Sequence, residues 1–365
     1  MKLKIVSILF LLMTSITFGQ NAISKTTFEH IQYPEALEWY NDDIYCAGYT
    51  FVTKLNDGNA SDAYLVNYDK NLKPKWSLKI DEKPSNIIYA VKRHQDKIYA
   101  LVTQGHVKPL ERDTFLSLFI IDLNGVVLEK IPFGRSFKET SNIEIEGETL
   151  VFGHRVSEGV SYTSKSKAEI IQYNINTKKV TRHKNKHDNG LKIPREIFAK
   201  DDRILLIGSF LHRYRPNIMI LKNGTLSEIH LKQSKSEYYI DSYVKNNTLT
   251  VLSVDTRLDE KRDFLKIYTV NLDDNTVTIN KRSYTELGFS AVRFNSFTTE
   301  DHKTWTIVKS KDTKTLDFVL LDKNGKKLKT TQYDEKNGNG YLERYIFKEK
   351  MFLNANSSGI YIYKI

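Results

Sequence analysis

Two short stretches hold the densest concentration of groups able to grip an anion: "GHRVS" around His154 and Arg155, and "HRYR" from His212 to Arg215. Each follows a glycine and an apolar strand pattern, at matching places of a repeat described below. The guanidinium groups of Arg155, Arg213 and Arg215 present forked donors that suit carboxylate, sulfate or phosphate. His154 and His212 add imidazoles, and Tyr214 offers a ring face on which a sugar or an aromatic group could stack. The expectation is a ligand-binding patch of His154, Arg155, His212, Arg213, Tyr214 and Arg215, with Arg112 and Arg262 in neighbouring loops. The competing reading makes them solvated loop residues that pair with the acids of "ERD" and "LDEKRD".

Other chemistry has weaker support. A glycosidase needs two converging carboxylates, and Asp57, Asp62, Glu111, Asp113, Glu158, Asp255, Asp259 and Asp263 are too many and too ordinary to select a pair. No Gly-x-Ser-x-Gly elbow marks a hydrolase nucleophile. Catalytic residues are therefore unassigned. The i, i+4 histidines of "HKNKH", His183 and His187, would share a helix face but fall at a strand end, where alternation misdirects the rings. "NDGNASD", Asn56 to Asp62, carries oxygen ligands suited to calcium and equally describes an exposed turn. Neither metal nor cofactor is expected.

The elements that must position these groups form a repeat. "LEWYNDDIYCAGY", "AVKRHQDKIYALV", "NIEIEGETLVFGH", "EIFAKDDRILLIGS", "SYVKNNTLTVLSV", "SFTTEDHKTWTIV" and "YIFKEKMFLNA" are each an alternating strand, a polar turn and a second apolar strand, on a period of about fifty residues. A second hairpin follows each of the first six, with turns such as "DLNG", "LKNG" and "DKNG" that supply the left-handed positions tight hairpins need. Two hairpins per period make four strands, so the chain reads as all-β, a seven-bladed β-propeller of four-stranded blades. The seventh copy has only three strands of its own, ending in "GIYIYKI". The amino-terminal "ISKTTFEHIQYP" is expected to add the fourth, so that the last blade is closed by the N-terminal strand and both sheet edges are covered.

With "DLNGVVLEKI" and "DKNGKKLKTT" the chain resembles seven-bladed propellers of the loose quinoprotein-like and exported bacterial repeat class, over nearly all of residues 20–365. The resemblance implies the fold and no particular activity. The Trp-Asp signature and the Ser-x-Asp-x-Gly-x-Thr-Trp box of other propellers are missing.

The first residues, "MKLKIVSILFLLMTSITFGQ", place Lys2 and Lys4 before an apolar run and small residues at Thr17 and Gly19, the order of a secretory signal. Residues 1–19 are thus expected to be a signal peptide and residues 20–365 a single propeller domain, secreted or periplasmic. The apolar run Ile5 to Leu12 is shorter than the ~20 residues that span a bilayer, so no membrane span is expected. Cys46 is the only cysteine, in the strand pattern "DIYCAGY", and is expected to be a buried thiol without a disulfide partner. Lys and Arg number 55 against 44 Asp and Glu, a net charge of +11. The excess is spread along the chain and does not make a nucleic-acid module. The expected function is a monomeric, non-catalytic binding scaffold for a protein or an anionic glycan, with an exported polysaccharide hydrolase or lyase as the alternative.

Overall fold

The computed structural model describes residues 22–55, 58–105, 114–136, 140–157, 166–184, 191–200, 202–209, 216–231, 237–257, 262–283, 294–298, 304–309, 315–322, 326–334, 344–348 and 351–364. Every regular element among them is a strand, and no helix there is long and apolar enough to cross a membrane.

The strands fall into antiparallel groups of four. The first is β2 (Tyr33–Tyr40), β3 (Asp43–Leu55), β4 (Gly58–Asp69) and β5 (Pro74–Ile80); the second is β6 (Ser85–His94), β7 (Lys97–Gly105), β8 (Thr114–Asp122) and β9 (Val127–Arg135), where β1 (Ser24–Thr26) is held apart for the last group. A single parallel contact, Ser61 opposite Ser85, joins these two into one eight-stranded sheet. Four-stranded sheets follow from β10 (Thr140–Glu146), β11 (Thr149–Ser157), β12 (Ser166–Asn174) and β13 (Val180–Lys184), and from β14 (Ile193–Lys200), β15 (Arg203–Ser209), β16 (Pro216–Lys222) and β17 (Thr225–His230). The next is β18 (Glu237–Lys245), β19 (Thr248–Arg257), β20 (Arg262–Asn271) and β21 (Val277–Ser283), then β22 (Phe294–Thr298), β23 (Thr304–Lys309), β24 (Thr315–Leu321) and β25 (Lys327–Asp334). The last takes β26 (Arg344–Lys348), β27 (Met351–Asn356) and β28 (Gly359–Lys364) from the carboxyl end and β1 from the other, with Lys25 opposite Tyr361.

Alternation explains why these segments become strands that stack face to face. In β11, Leu150 and Phe152 pack with Tyr99, Leu101 and Leu118 of the preceding sheet, while Val151 packs with Ile197, Leu206 and Met219 of the following one. Buried on both faces, the middle strands of each sheet become almost wholly apolar, and each interface contributes its own small core. The same logic joins the first and last sheets, where Ile44, Cys46, Val66 and Tyr68 pack with Leu353, Ala355, Ile360 and Ile362. Cys46 is fully buried, and burial pushes its thiol up, as expected for an inert side chain.

The two ends of the strands differ. One end carries tight turns, such as Asn223–Gly224, whose φ values of 50° and 76° suit the two central residues of a type I′ hairpin. The other carries the connections from second to third strands and from sheet to sheet, and most of these lie outside the described residues. The first strands β26, β2, β6, β10, β14, β18 and β22 lie successively against one another. Five of them slip register at one place, at Pro34/Ala36, Ile88/Ala90, Thr140/Ile143, Pro194/Glu196 and Tyr239/Asp241. Such bulges bend and twist a strand, and here they recur toward the start of five first strands.

Candidate functional site

His154 and Arg155 lie inside β11, near its loop end, and both are fully buried. Expected as loop groups of one patch, they instead sit on opposite faces of the strand. Gly153, beside them, has no room for a side chain: a Cβ there would fall 2.3 Å from Leu206 Cδ1 and 2.9 Å from the Pro194 side chain. Arg155 shares that face, toward the β14–β17 sheet, and His154 shares the face of Phe152, toward β7–β9. His212, Arg213, Tyr214, Arg215 and Arg112 lie outside the described residues, and Arg262 begins β20.

On its face His154 belongs to a chain of polar contacts that crosses three strands. Its Nδ1 is 2.9 Å from Oε1 of Glu169, directly opposite on β12. Arg182 of β13 donates through Nη1 to the same oxygen at 2.6 Å and through Nη2 to the Phe133 carbonyl at 2.7 Å, tying the network to β9. Burial alone would raise the Glu169 carboxyl. The hydrogen bond and charge of His154, with the charges of Arg182 and Lys184, outweigh it and hold the carboxyl below its ordinary value. An ionised Glu169 makes His154 Nδ1 the donor, which leaves Nε2 as the other functional atom of the ring. His154 Nε2 and Glu169 Oε2 are buried and have no hydrogen-bond partner among the described residues.

A second set of charges comes from the first strands. Lys92 of β6 reaches between Glu38 of β2, at 3.6 Å, and Glu144 of β10, at 3.9 Å. All three are half-buried. Burial raises both carboxyls against the pull of Lys92; burial would lower Lys92, but the two carboxylates beside it win and raise it. Further along, Asn142 of β10 takes the Ile197 backbone N–H at 2.7 Å and donates to the Ile197 carbonyl at 3.2 Å. Glu196 of β14 occupies the place equivalent to Asn142, and its Oε2 accepts from the Ser242 backbone N–H at 3.0 Å and from the Ser242 hydroxyl. These two side chains therefore clamp β10 to β14 and β14 to β18 by backbone contacts. Burial raises Glu196, more than its hydrogen bonds from Ser242, Tyr239 and Asp241 lower it, and raises the Tyr239 hydroxyl with the acids beside it.

None of Glu38, Glu144, Glu196 and Asp241 was among the carboxylates singled out by sequence. The available signal was a glutamate interrupting an apolar first strand, as in "NIEIE" and "PREIFAK". Of the sequence metal candidates, His183 bonds Gln172 at 2.8 Å and Asp62 pairs with Lys79 at 2.8 Å, while Asn56, Asp57 and His187 lie outside the described residues. No group of three His, Cys, Asp or Glu able to hold a metal occurs among the described residues.

No family model matches the chain, and no curated protein matches it. Solved structures do. Drosophila Semaphorin 2a, at 8% identity, matches over 94% of this chain and 76% of its own, with a TM-score of 0.59. Pyrococcus horikoshii acylaminoacyl peptidase, at 11% identity, matches over 92% of this chain with a TM-score of 0.54, and the chain spans 53% of the peptidase's length. Chaetomium thermophilum Sqt1, bound to the N-terminus of the ribosomal protein L10, matches over 94% of this chain and 100% of its own at 10% identity and a TM-score of 0.50. Semaphorin 2a and Sqt1 are β-propeller-like, and with its four-stranded antiparallel sheets the chain shares that fold. At such identities the likeness concerns fold alone.

Proposed function

We propose that this chain is an exported, seven-bladed, closed β-propeller that acts as a non-catalytic binding scaffold, holding a protein or an anionic glycan at its loop end. Closure is supported by β1 pairing with β28, by the core shared between first and last sheets and by the succession of first strands. Export rests on the signal-like order of residues 1–19.

The observation that carries the scaffold reading is how the first-strand charges are spent. Lys92 is shared between Glu38 and Glu144, and Glu196 grips the backbone of β18. Groups tied in this way stiffen the ring; an acid and a base poised for turnover would have to face a substrate. Recognition is then assigned to the segment that the sequence reading singled out, His212, Arg213, Tyr214 and Arg215. Sqt1, seated on a protein segment, favours a protein partner by analogy of fold.

The test is binding of the mature chain to a panel of acidic glycans and acidic peptides at physiological salt, where simple charge attraction is screened over ~8 Å. An Arg213→Ala, Arg215→Ala variant should lose about tenfold or more in affinity, roughly 1.4 kcal/mol. Undiminished binding by that variant removes the arginines from the site. Turnover of a glycan removes the word non-catalytic and favours the hydrolase or lyase.

A further inference from the structure

Beyond any ligand at the loop end, the β18–β21 sheet contains a reactive arrangement of its own. Glu237 of β18 stands directly opposite Asp255 of β19, and Ser253 of β19 directly opposite Lys266 of β20. Strand alternation puts Glu237, Ser253, Asp255, Lys266 and Tyr268 on one face. Lys266 Nζ lies 2.6 Å from Glu237 Oε2 and 3.0 Å from Asp255 Oδ2. Glu237 and Asp255 are fully buried and Lys266 is 7% exposed. Their floor is apolar: Tyr268, Leu249 and Val251 pack with Leu205, Ile207 and Ile218 of the neighbouring sheet.

The two carboxylates are held differently. Glu237 Oε1 accepts from the hydroxyls of Tyr268, at 2.5 Å, and Ser253, and Oε2 accepts from Lys266. Burial, with Glu237 beside it, pushes the Tyr268 hydroxyl up, so that group stays a donor. Asp255 presents Oδ2 to the same ammonium at 3.0 Å.

We propose that Lys266 and Asp255 condense into an intramolecular amide, with Glu237 as the proton carrier. In a dry site the ion pair can exchange its proton to give a neutral amine and a neutral acid, which removes the cost of separated buried charges. The Nζ lone pair then attacks Asp255 Cγ. Glu237 takes a proton from the nitrogen and delivers it to the departing hydroxyl, and the C–O bond breaks as the carbonyl reforms. Amine and acid become amide and one water; nothing is oxidised or reduced, and Glu237 ends as it began. Fixing the reactants at contact distance supplies the effective concentration that this condensation lacks in water, and exclusion of solvent disfavours the reverse hydrolysis. The bond would staple β19 to β20 where the chain leaves for the loop end.

Mass spectrometry of the denatured full chain, with peptide mapping, decides the matter. The expected result is a mass short of the sequence by one water and a branched peptide joining Lys266 to Asp255. Glu237→Gln and Lys266→Met should each restore the full mass, and reading the denatured chain makes the native protein's own mass independent of whether those variants fold. A native chain at full mass overturns the proposal. A branch from Lys266 to Glu237, or a bond that persists in Glu237→Gln, overturns the assigned roles.

Discussion

Glu169 on β12 and Glu196 on β14 are glutamates in neighbouring sheets, and burial pushes both carboxyls up, yet they finish on opposite sides of the ordinary value. Glu169 meets His154 and Arg182, which carry or can carry positive charge. Glu196 meets Ser242, Tyr239 and Asp241, which offer hydrogen bonds and no positive charge. The lesson is that cationic partners in hydrogen-bond contact can outweigh burial, as at Glu169, whereas the looser Lys92 does not do so for Glu38 and Glu144. The first network is a charged brace across β11, β12 and β13 that also reaches β9 of the preceding sheet; the second is a protonation-dependent clamp between two sheets.

Breaking the brace should have the larger effect. Glu169→Gln leaves the His154 and Arg182 donors facing a neutral amide, and is expected to cost about 2–3 kcal/mol in urea unfolding at neutral pH. The loss is moderated because the Arg182 side chain, 36% exposed, can recover water. The pH dependence has a definite sign. A folded-state carboxyl below its ordinary value contributes stability that is present above that value and is lost as pH falls through the folded one. The native chain should therefore lose stability in acid, below the usual glutamate range, more steeply than Glu169→Gln; parallel acid unfolding curves would show that Glu169 is not braced as described.

Glu196→Gln should sharpen the contrast with a smaller change. An amide oxygen can still accept from Ser242, so stability near neutrality should move by no more than about 1 kcal/mol. With its folded-state carboxyl raised, Glu196 binds its proton more tightly folded than unfolded. It should therefore subtract stability as pH rises from the ordinary glutamate value toward the folded one. The variant should lose that decline, and a decline equal to the native chain's would place the titration elsewhere.

The same contrast explains what could be read without coordinates. Hairpins such as "NIEIEGETLVFGH" and "EIFAKDDRILLIGS" announce themselves because two-sided burial makes the second strand apolar and the turn demands Asn, Asp or Gly; both appear as β10–β11 and β14–β15. "SKTTF" could be matched to a missing edge strand for the same reason, since an exposed strand edge needs a backbone partner, and β1 lies on β28. Polar types after an apolar run usually mark a strand's end, and by that rule His154 and Arg155 belong to a loop. Here β11 continues to Ser157, and Glu169 and Arg182, from later strands, make the burial of His154 tolerable. The first-strand acids were missed for a related reason: alternation tells which face a glutamate takes, but Lys92 or Ser242 as its partner is a fact of how separate sheets stack.

The proposed closure of the circle through β1 can be tested by a cross-link between the two ends of the chain. Lys25 and Tyr361 stand opposite each other in register, and cross-strand positions of this kind bring Cβ atoms to ~4.5–5.5 Å. A Lys25→Cys, Tyr361→Cys variant of the chain processed after Gly19 should form an intramolecular disulfide on mild oxidation and remain monomeric, with Cys46 excluded by its burial. Because the bond closes a loop of nearly the whole chain, it should stabilise by up to about 5 kcal/mol, the upper end of what disulfides deliver, where geometry is unstrained. Two thiols that stay free under oxidation, or that link only between molecules, would contradict closure.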